Sequence, residues 1–215
     1  MTKVLTIGSA TMDVFVECDD ANIVSVCSKN KNSDFMSYPY GSKIDITTFS
    51  SNVGGGGVNT ACNFDNLGFD TTAIFKIGKD IYSEGILDSF KPRGVKLNNI
   101  IQKEDTSTGF SIILVSFQGD RTVLAHRGAN AEIREDEINY DAIKDADLIY
   151  VAPLNGESNK VLEPIVEYAH QQGTRICFNA GTTSIKRGFE HIKTILKSAH
   201  IVVMNKEEAT MTTGI

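Results

Sequence analysis

"SSNVGGGGVNTACNFDNLGFD", residues 50–70, holds four consecutive glycines and then an asparagine where a helical pattern begins. Glycine loses more backbone freedom on folding than any other residue, so four in a row need a reason. After the run, Val58, Ala61, Cys62, Phe64 and Leu67 recur at helical spacing, and Gly68 stands where a helix stops in the left-handed conformation. A well-patterned helix directly after the glycines makes a flexible linker a poor reading. A P-loop needs Gly-x-x-x-x-Gly-Lys-Ser/Thr, which the chain lacks. A dinucleotide fingerprint needs a second glycine just after the first strand, but Gly8 is followed by Ser9, Ala10 and Thr11. Two readings survive: a tight strand-to-helix turn, or a loop where backbone passes close to a ligand beside the free N–H groups of a helix N-terminus.

Outward from this stretch, runs of strand length alternate with helical periods. "KVLTIGS" precedes it as a strand and "TTAIFKIG" follows as another. "DIYSEGILDSFKPRG" reads as a helix and "DADLIYVAPL" as a strand; "SNKVLEPIVEYAHQQG" carries Val161, Leu162, Ile165, Val166 and Ala169 in one stripe ending at Gly173. "TRICFN", "GFEHIKTILKSAH" and "IVVMN" continue the alternation. This rhythm predicts a doubly wound α/β architecture, a mostly parallel sheet with helices on both faces. Two segments break it. "SKIDITTF" alternates like a half-exposed strand, and "TGFSIILVSFQGDRTVLAH" reads as a hairpin turning at Gln118, Gly119 and Asp120. With "MDVFVE" they form a small antiparallel β insertion contributed by about 14–50 and 108–127. Within it, Cys18 to Tyr40 has no strong period and reads as loop, and Arg121 as a solvated turn residue.

The bulk numbers suit a soluble globular chain: 215 residues, 41% hydrophobic and 22% charged. A net charge of -6 argues against a nucleic-acid or anionic-membrane partner held by a broad basic face. Cys18, Cys27, Cys62 and Cys177 show no Cys-x-x-Cys spacing and read as free thiols. No apolar run reaches membrane-spanning length and "MTKVLTIGSATMDVF" lacks the apolar core of a secretory signal, so a cytoplasmic location is expected.

"GGGGVNTACNFDNLGFDTTAIFKIGKD" resembles the N-terminal signature of the ribokinase-like (PfkB-type) carbohydrate kinases, through Gly54, Gly55, Gly57 and Asn59, then Gly68, Gly78 and Asp80. "VLTIGSATMDVFV" is similar to the family's first strand with its substrate aspartate, here Asp13. "GDRTVLAHRGAN" is similar to its lid hairpin and "VVMNKEEAT" to its Asn-x-x-Glu element. The resemblance implies an ATP-dependent kinase of a sugar or nucleoside hydroxyl, with Asp13, Gly55, Gly57 and Asn59 binding the substrate. It places Asn205 and Glu208 near the phosphates and the water shell of Mg²⁺, with no direct metal ligand. It also implies a β lid over the substrate and a homodimer through that lid. Each residue keeps a plainer reading: Asp13 as a turn or cap residue, Asn59 as an N-terminal helix residue, and Asn205 with Glu208 as a capping box. Asn179 ends a strand at the same edge and has a possible phosphate contact, although "AG" stands where the family carries a proline-containing continuation.

The family's Asp-Thr-x-Gly-Ala-Gly-Asp motif, which supplies the anion hole and the catalytic base, does not occur in the 215 residues. The expectation is therefore an incomplete ribokinase-like domain over 1–215, with its C-terminal part missing and its base beyond Ile215. A non-catalytic sugar-binding or regulatory remnant is the alternative; an unrelated Rossmann-like oxidoreductase is disfavoured by the missing cofactor glycines.

Overall fold

In the computed structural model, which describes residues 1–29 and 32–215, the chain divides into two compact units. The first half runs β1 (Lys3–Ile7), β2 (Thr11–Glu17), β3 (Asn22–Cys27), β4 (Asn32–Ser37), β5 (Thr48–Gly54), α1 (Gly56–Asn66), β6 (Asp70–Ile74), β7 (Lys76–Ile77), α2 (Ile81–Phe90) and β8 (Ile101–Gln102). It continues with β9 (Gly109–Val115), β10 (Arg121–His126), α3 (Tyr140–Lys144), β11 (Leu148–Val151), α4 (Leu162–Gln172), β12 (Arg175–Asn179), α5 (Thr182–Lys186), α6 (Phe189–Ser198), β13 (Ile201–Val203) and α7 (Lys206–Thr213).

Met1–Met12, Val53–Gly109 and Arg127–Ile215 form an α/β unit. Its main sheet has the order β13-β12-β11-β1-β6, with every neighbouring pair parallel. Alternate residues of β1 feed opposite faces. Leu5 and Ile7 enter a core shared with Ile149, Phe178, Ile165 of α4 and Ile195 of α6. Thr6, between them, faces α1, where its hydroxyl donates to the Gly57 carbonyl at 3.2 Å. A second cluster, with Val58 and Ala61 of α1, Phe75, and Ile86 and Phe90 of α2, lies on that side. Leu162, Ile165, Val166 and Ala169 are fully buried, and each of the three larger ones contributes roughly 1.5–3 kcal/mol by leaving water.

Local chemistry sets the helix ends. At the C-terminus of α1, Phe69 N–H donates to Phe64 O at 3.1 Å and Gly68 N–H to Asp65 O at 2.9 Å, with Gly68 at φ +83°. This is the paired 6→1 and 5→2 closure, and the Phe64 and Phe69 rings meet edge-on at 5.6 Å. Gly173 ends α4 in the same left-handed conformation. Asp80 caps α2, its carboxylate accepting from Ser83 N–H at 2.9 Å and Thr108 N–H at 2.7 Å. Burial alone would raise the pKa of Asp80, but these bonds from Thr108 and Ser83 outweigh it and hold the group below its ordinary value.

The second unit comprises Asp13–Asn52 and Phe110–His126. A four-stranded sheet has the order β10-β9-β2-β5, and β9 and β10 form the expected antiparallel hairpin, closed at Gly119 with φ +84°.

Four sequence expectations need correction. Cys18 to Tyr40 is not loop: β3 and β4 pair antiparallel, Asn22 opposite Ser37 and Cys27 opposite Asn32. Five of the six positions of β3 are exposed, so the hairpin lacks the in–out alternation that signals a strand; Asn30 and Lys31 lie outside the described residues. "SKIDITTF" is irregular until Thr48, where β5 starts and runs into the glycines. "TTAIFKIG" splits, because β6 stops pairing beside β1 at Ile74 while Lys76 and Ile77 pair with β8. Leu67 is 73% exposed, since it caps α1 where the stripe has already rotated away from the core.

Candidate functional site

In an open parallel sheet, ligands bind outside the carboxyl ends of the strands where the winding reverses. Here the chain passes from β1 to β6 on one side and later places β11 on the other side of β1. The switch point therefore lies between β1 and β11, at Gly8–Ser9 and Ala152–Asn155.

The glycine run sits at this point, and its geometry shows what the glycines do. Gly55 has φ +96°, and a Cβ there would lie 2.4 Å from the Ser9 carbonyl oxygen. A Cβ on Gly57 would come within 2.9 Å of the Gly8 carbonyl carbon, and one on Gly56 within 2.7 Å of Ala152 Cβ. The space a side chain would need is filled by protein, so the turn itself demands glycine. The expectation of free N–H groups at the start of α1 does not hold. Gly56 N–H donates to Ser9 Oγ at 3.1 Å, and Gly57 and Val58 N–H donate to Ser9 O at 2.9 and 3.4 Å. A helix terminus buried against the preceding strand must satisfy its orphan donors internally, and Ser9 does so.

Asn59 occupies the next turn and is exposed. It lines a groove of about 340 Å³ between α1 and α2 together with Asn63, Asn66, Ser89 and Arg93. Among the described residues its side-chain amide makes no hydrogen bond. Asp13 is half-buried on β2, directly after Met12, as the first residue of the small unit.

A line of contacts continues along the carboxyl edge. A Cβ on Gly181 would meet Pro153 Cβ at 2.4 Å. Thr183 Oγ1 donates to Asn155 Oδ1 at 2.6 Å, and Thr182 Oγ1 donates to Glu208 Oε1 at 3.3 Å. Asn205 and Glu208 form a reciprocal capping box: Glu208 N–H donates to Asn205 Oδ1 at 2.8 Å and Asn205 N–H to Glu208 Oε2 at 3.0 Å. Asn179 reaches the same region, its Nδ2 donating to Val203 O at 3.2 Å. The structure thus brings Asn179, Asn205 and Glu208 together at the ends of β12 and β13, and Gly55, Gly57 and Asn59 together at the end of β1. Sequence reading passed over Ser9, Asn155, Thr182, Thr183 and Asn130. The one signal available for Ser9 was its place immediately after the first strand.

Mg²⁺ has no cage here, since among the described residues no three His, Cys, Asp or Glu side chains converge on a metal position. Glu208 is buried and each of its oxygens already accepts a protein donor, so its remaining lone pairs suit a water shell better than direct coordination. A second cavity, of about 240 Å³, opens among Lys3, Asp70, Lys96 and Asp145 at the amino ends of the strands, the edge that open α/β sheets do not use. No helix among the described residues is long and apolar enough to cross a membrane.

Comparison with known proteins identifies the family. The family model described as pfkB family carbohydrate kinase matches residues 1–215. The chain is 27% identical over its whole length to a bifunctional ribokinase/ribose-5-phosphate isomerase A of Fructilactobacillus sanfranciscensis, covering 36% of that protein. It is 32% identical to a ribokinase of Staphylococcus aureus over 75% of this chain and 52% of that one. Arabidopsis thaliana ribokinase complexed with ribose and ATP superposes with a TM-score of 0.77 at 19% identity, over all of this chain and 64% of the other. The chain thus spans between about a third and two thirds of the length of these relatives.

Proposed function

Because this chain belongs to the pfkB family of carbohydrate kinases, we propose that its carboxyl edge binds the acceptor of an ATP-dependent phosphorylation of a sugar or nucleoside hydroxyl. The observation that carries the reading is the coincidence of the topological switch point with the glycine turn and the open amide of Asn59. Asp13 would accept from a pair of substrate hydroxyls, and Asn59 would donate to one hydroxyl and accept from its neighbour. Gly55 and Gly57 act indirectly, by letting β1 and α1 close up so that Asn59 stands at the edge. When bound, ATP with its Mg²⁺ supplies the phosphoryl group. Glu208 and Asn205 would orient water around that ion, and Asn179 would face the phosphates.

Residues 1–215 contain no Gly-Ala-Gly-Asp run, so no base for the hydroxyl proton is assigned among them. The small unit would serve as the lid that excludes water during transfer. Phe49, Val123 and Leu124 of its four-stranded sheet are about half or more exposed, which supports its use as a dimer face. Four free thiols and the need for ATP support a cytoplasmic location.

Calorimetry of residues 1–215 with ribose, fructose and adenosine tests the reading, alongside a coupled ADP assay. One of the three should bind and lose affinity in Asp13→Asn, while sugar-dependent ADP formation stays near background. Absence of binding to all three would sink the substrate assignment. Turnover on the order of 1 s⁻¹ would show that the base lies within these residues.

A further inference from the structure

We propose that Asn130 is a positioning residue, whose buried amide fixes the backbone of Ala10 and so sets where the strand carrying Asp13 begins. The proposal rests on the reading of Asp13 as the sugar-binding carboxylate.

Ala10 is fully buried in the gap between β1 and β2, so its N–H and C=O have no ladder partner from either strand. Asn130, 2% exposed, takes the place of a neighbouring strand. Ala10 N–H donates to Asn130 Oδ1 at 2.8 Å, and Asn130 Nδ2 donates to Ala10 O at 2.7 Å. A planar primary amide offers one acceptor and one donor side by side, as a strand backbone does; a carboxylate offers acceptors only. Bare backbone closes the other side. A Cβ on Gly109 would lie 2.0 Å from Asn130 Nδ2 and 3.0 Å from Ala10 O, so the amide has no room to swing. The turn that carries Asn130 is itself pinned, Ala129 N–H donating to Ser107 O at 2.8 Å.

These residues flank the places where the chain passes between its two units. The chain leaves the α/β unit after Met12 and again after Gly109, and returns at Arg127. Ala10, Gly109 and Asn130 are each within three residues of one of those crossings. Ala10 immediately precedes β2, the strand that carries Asp13, so a displaced Ala10 peptide shifts the start of that strand. Loss of about 1 Å of placement can cost on the order of 100-fold in function.

Asn130→Asp keeps the size and one acceptor but sets a carboxylate oxygen against the Ala10 carbonyl. In ¹⁵N-labelled residues 1–215 this variant should exchange the Ala10 amide about 100-fold faster and shift the Asp13 amide resonance, with the Ile176 amide of β12 unchanged. Ribose affinity should fall about 10- to 100-fold. In the Asp13→Asn background the same change should cost nothing further, because Asn130 acts through Asp13. Should Asn130→Asp not fold, Asn130→Ser, which is smaller and offers a single hydroxyl in place of the amide, carries the same measurements. Unaltered Ala10 exchange and Asp13 resonance in a folded variant would overturn the proposal, as would ribose losses that multiply in the double variant. If Asp13→Asn leaves ribose affinity intact, or ribose does not bind, the substrate reading fails on its own, and the two amide measurements still decide the role of Asn130.

Discussion

The N–H of Gly57 donates to the carbonyl of Ser9 at 2.9 Å, and this bond fastens the first turn of α1 to the end of β1. The approach is so close that a Cβ on Gly8 would stand 2.5 Å from Gly57 N, and one on Gly57 2.9 Å from the Gly8 carbonyl carbon. Two glycines facing each other across the switch point let strand and helix touch backbone to backbone, which holds the first turn of α1, ending at Asn59, against the end of β1.

Alanine substitutions should rank by this geometry. Gly57→Ala meets backbone that cannot yield and should cost about 1–3 kcal/mol by overpacking. Gly55→Ala adds a positive φ of 96° to a 2.4 Å collision and should cost more, by about 1–3 kcal/mol of strain. Gly68→Ala has a positive φ but nothing within 4 Å, so only the left-handed penalty of about 1–2 kcal/mol applies. Urea unfolding of the three variants checks the order; Gly68→Ala as the most damaging would refute it.

Asp13→Asn should weaken sugar binding by about 1–3 kcal/mol, because a charged acceptor shared by two hydroxyls becomes a neutral amide with a single acceptor. Calorimetry with sugar and with nucleotide separates a local loss from a general one, and an unchanged sugar affinity removes Asp13 from the site.

At Glu208 the capping and ion-organising roles make different demands. Gln can still accept from Asn205 N–H, and its amide can donate to the Thr182 hydroxyl, so Glu208→Gln should melt within a degree or two of the parent. Glu208→Ala leaves the Asn205 N–H without a partner and should cost about 1 kcal/mol. In an active enzyme carrying the same substitutions, a Mg²⁺ requirement raised by Glu208→Gln would support the water-shell role. An unshifted Mg²⁺ curve would leave the cap as its whole function.

The buried pair Lys76–Glu137 gives a pH signature. Lys76 Nζ lies 2.9 Å from Glu137 Oε2, with side-chain exposures of 3% and 6%. Burial alone would raise the pKa of Glu137, but the bonds from Lys76 and the Arg134 N–H together with the Lys76 and Arg134 charges outweigh it, and the net direction is down. A carboxyl whose folded value lies below its unfolded one stabilises the fold above the unfolded value and loses that contribution as the pH falls through the folded one. The urea midpoint should therefore decline below about pH 4.5, and Glu137→Gln should flatten that limb. Lys76→Met removes the nearest cation from the buried carboxylate, leaving Lys103 Nζ at 3.6 Å and Arg134 Nη2 at 3.8 Å, and should cost about 3 kcal/mol at neutral pH; a loss under 1 kcal/mol would show that these two compensate.

The layered α/β unit was legible because its signals are local and repeated. The stripe from Val161 to Ala169 is fully or almost fully buried, and Gly68 and Gly173 take the left-handed conformations their positions required. The β3–β4 hairpin was not legible, since β3 is exposed on both faces and neither strand carries a regular in–out alternation. At the site, Asn205 and Glu208 could be paired from their spacing alone because a capping box spans three residues.

By itself the sequence determined the strand–helix alternation, the parallel sheet, the glycine turn at the start of α1 and the family to which the chain belongs. These follow from periodicity, chain stiffness and short motifs, all of which act over a few residues. The tertiary structure alone decided which side of β1 receives β11, that Ser9 consumes the helix N–H groups thought to be free, and that Asn130 pairs with Ala10. Those contacts join residues 48 to 144 positions apart, such as Val4 with Leu148, Gly57 with Ser9 and Ala10 with Asn130. Such partners are chosen by which buried backbone groups remain unsatisfied once the layers have packed, and no local pattern encodes that remainder.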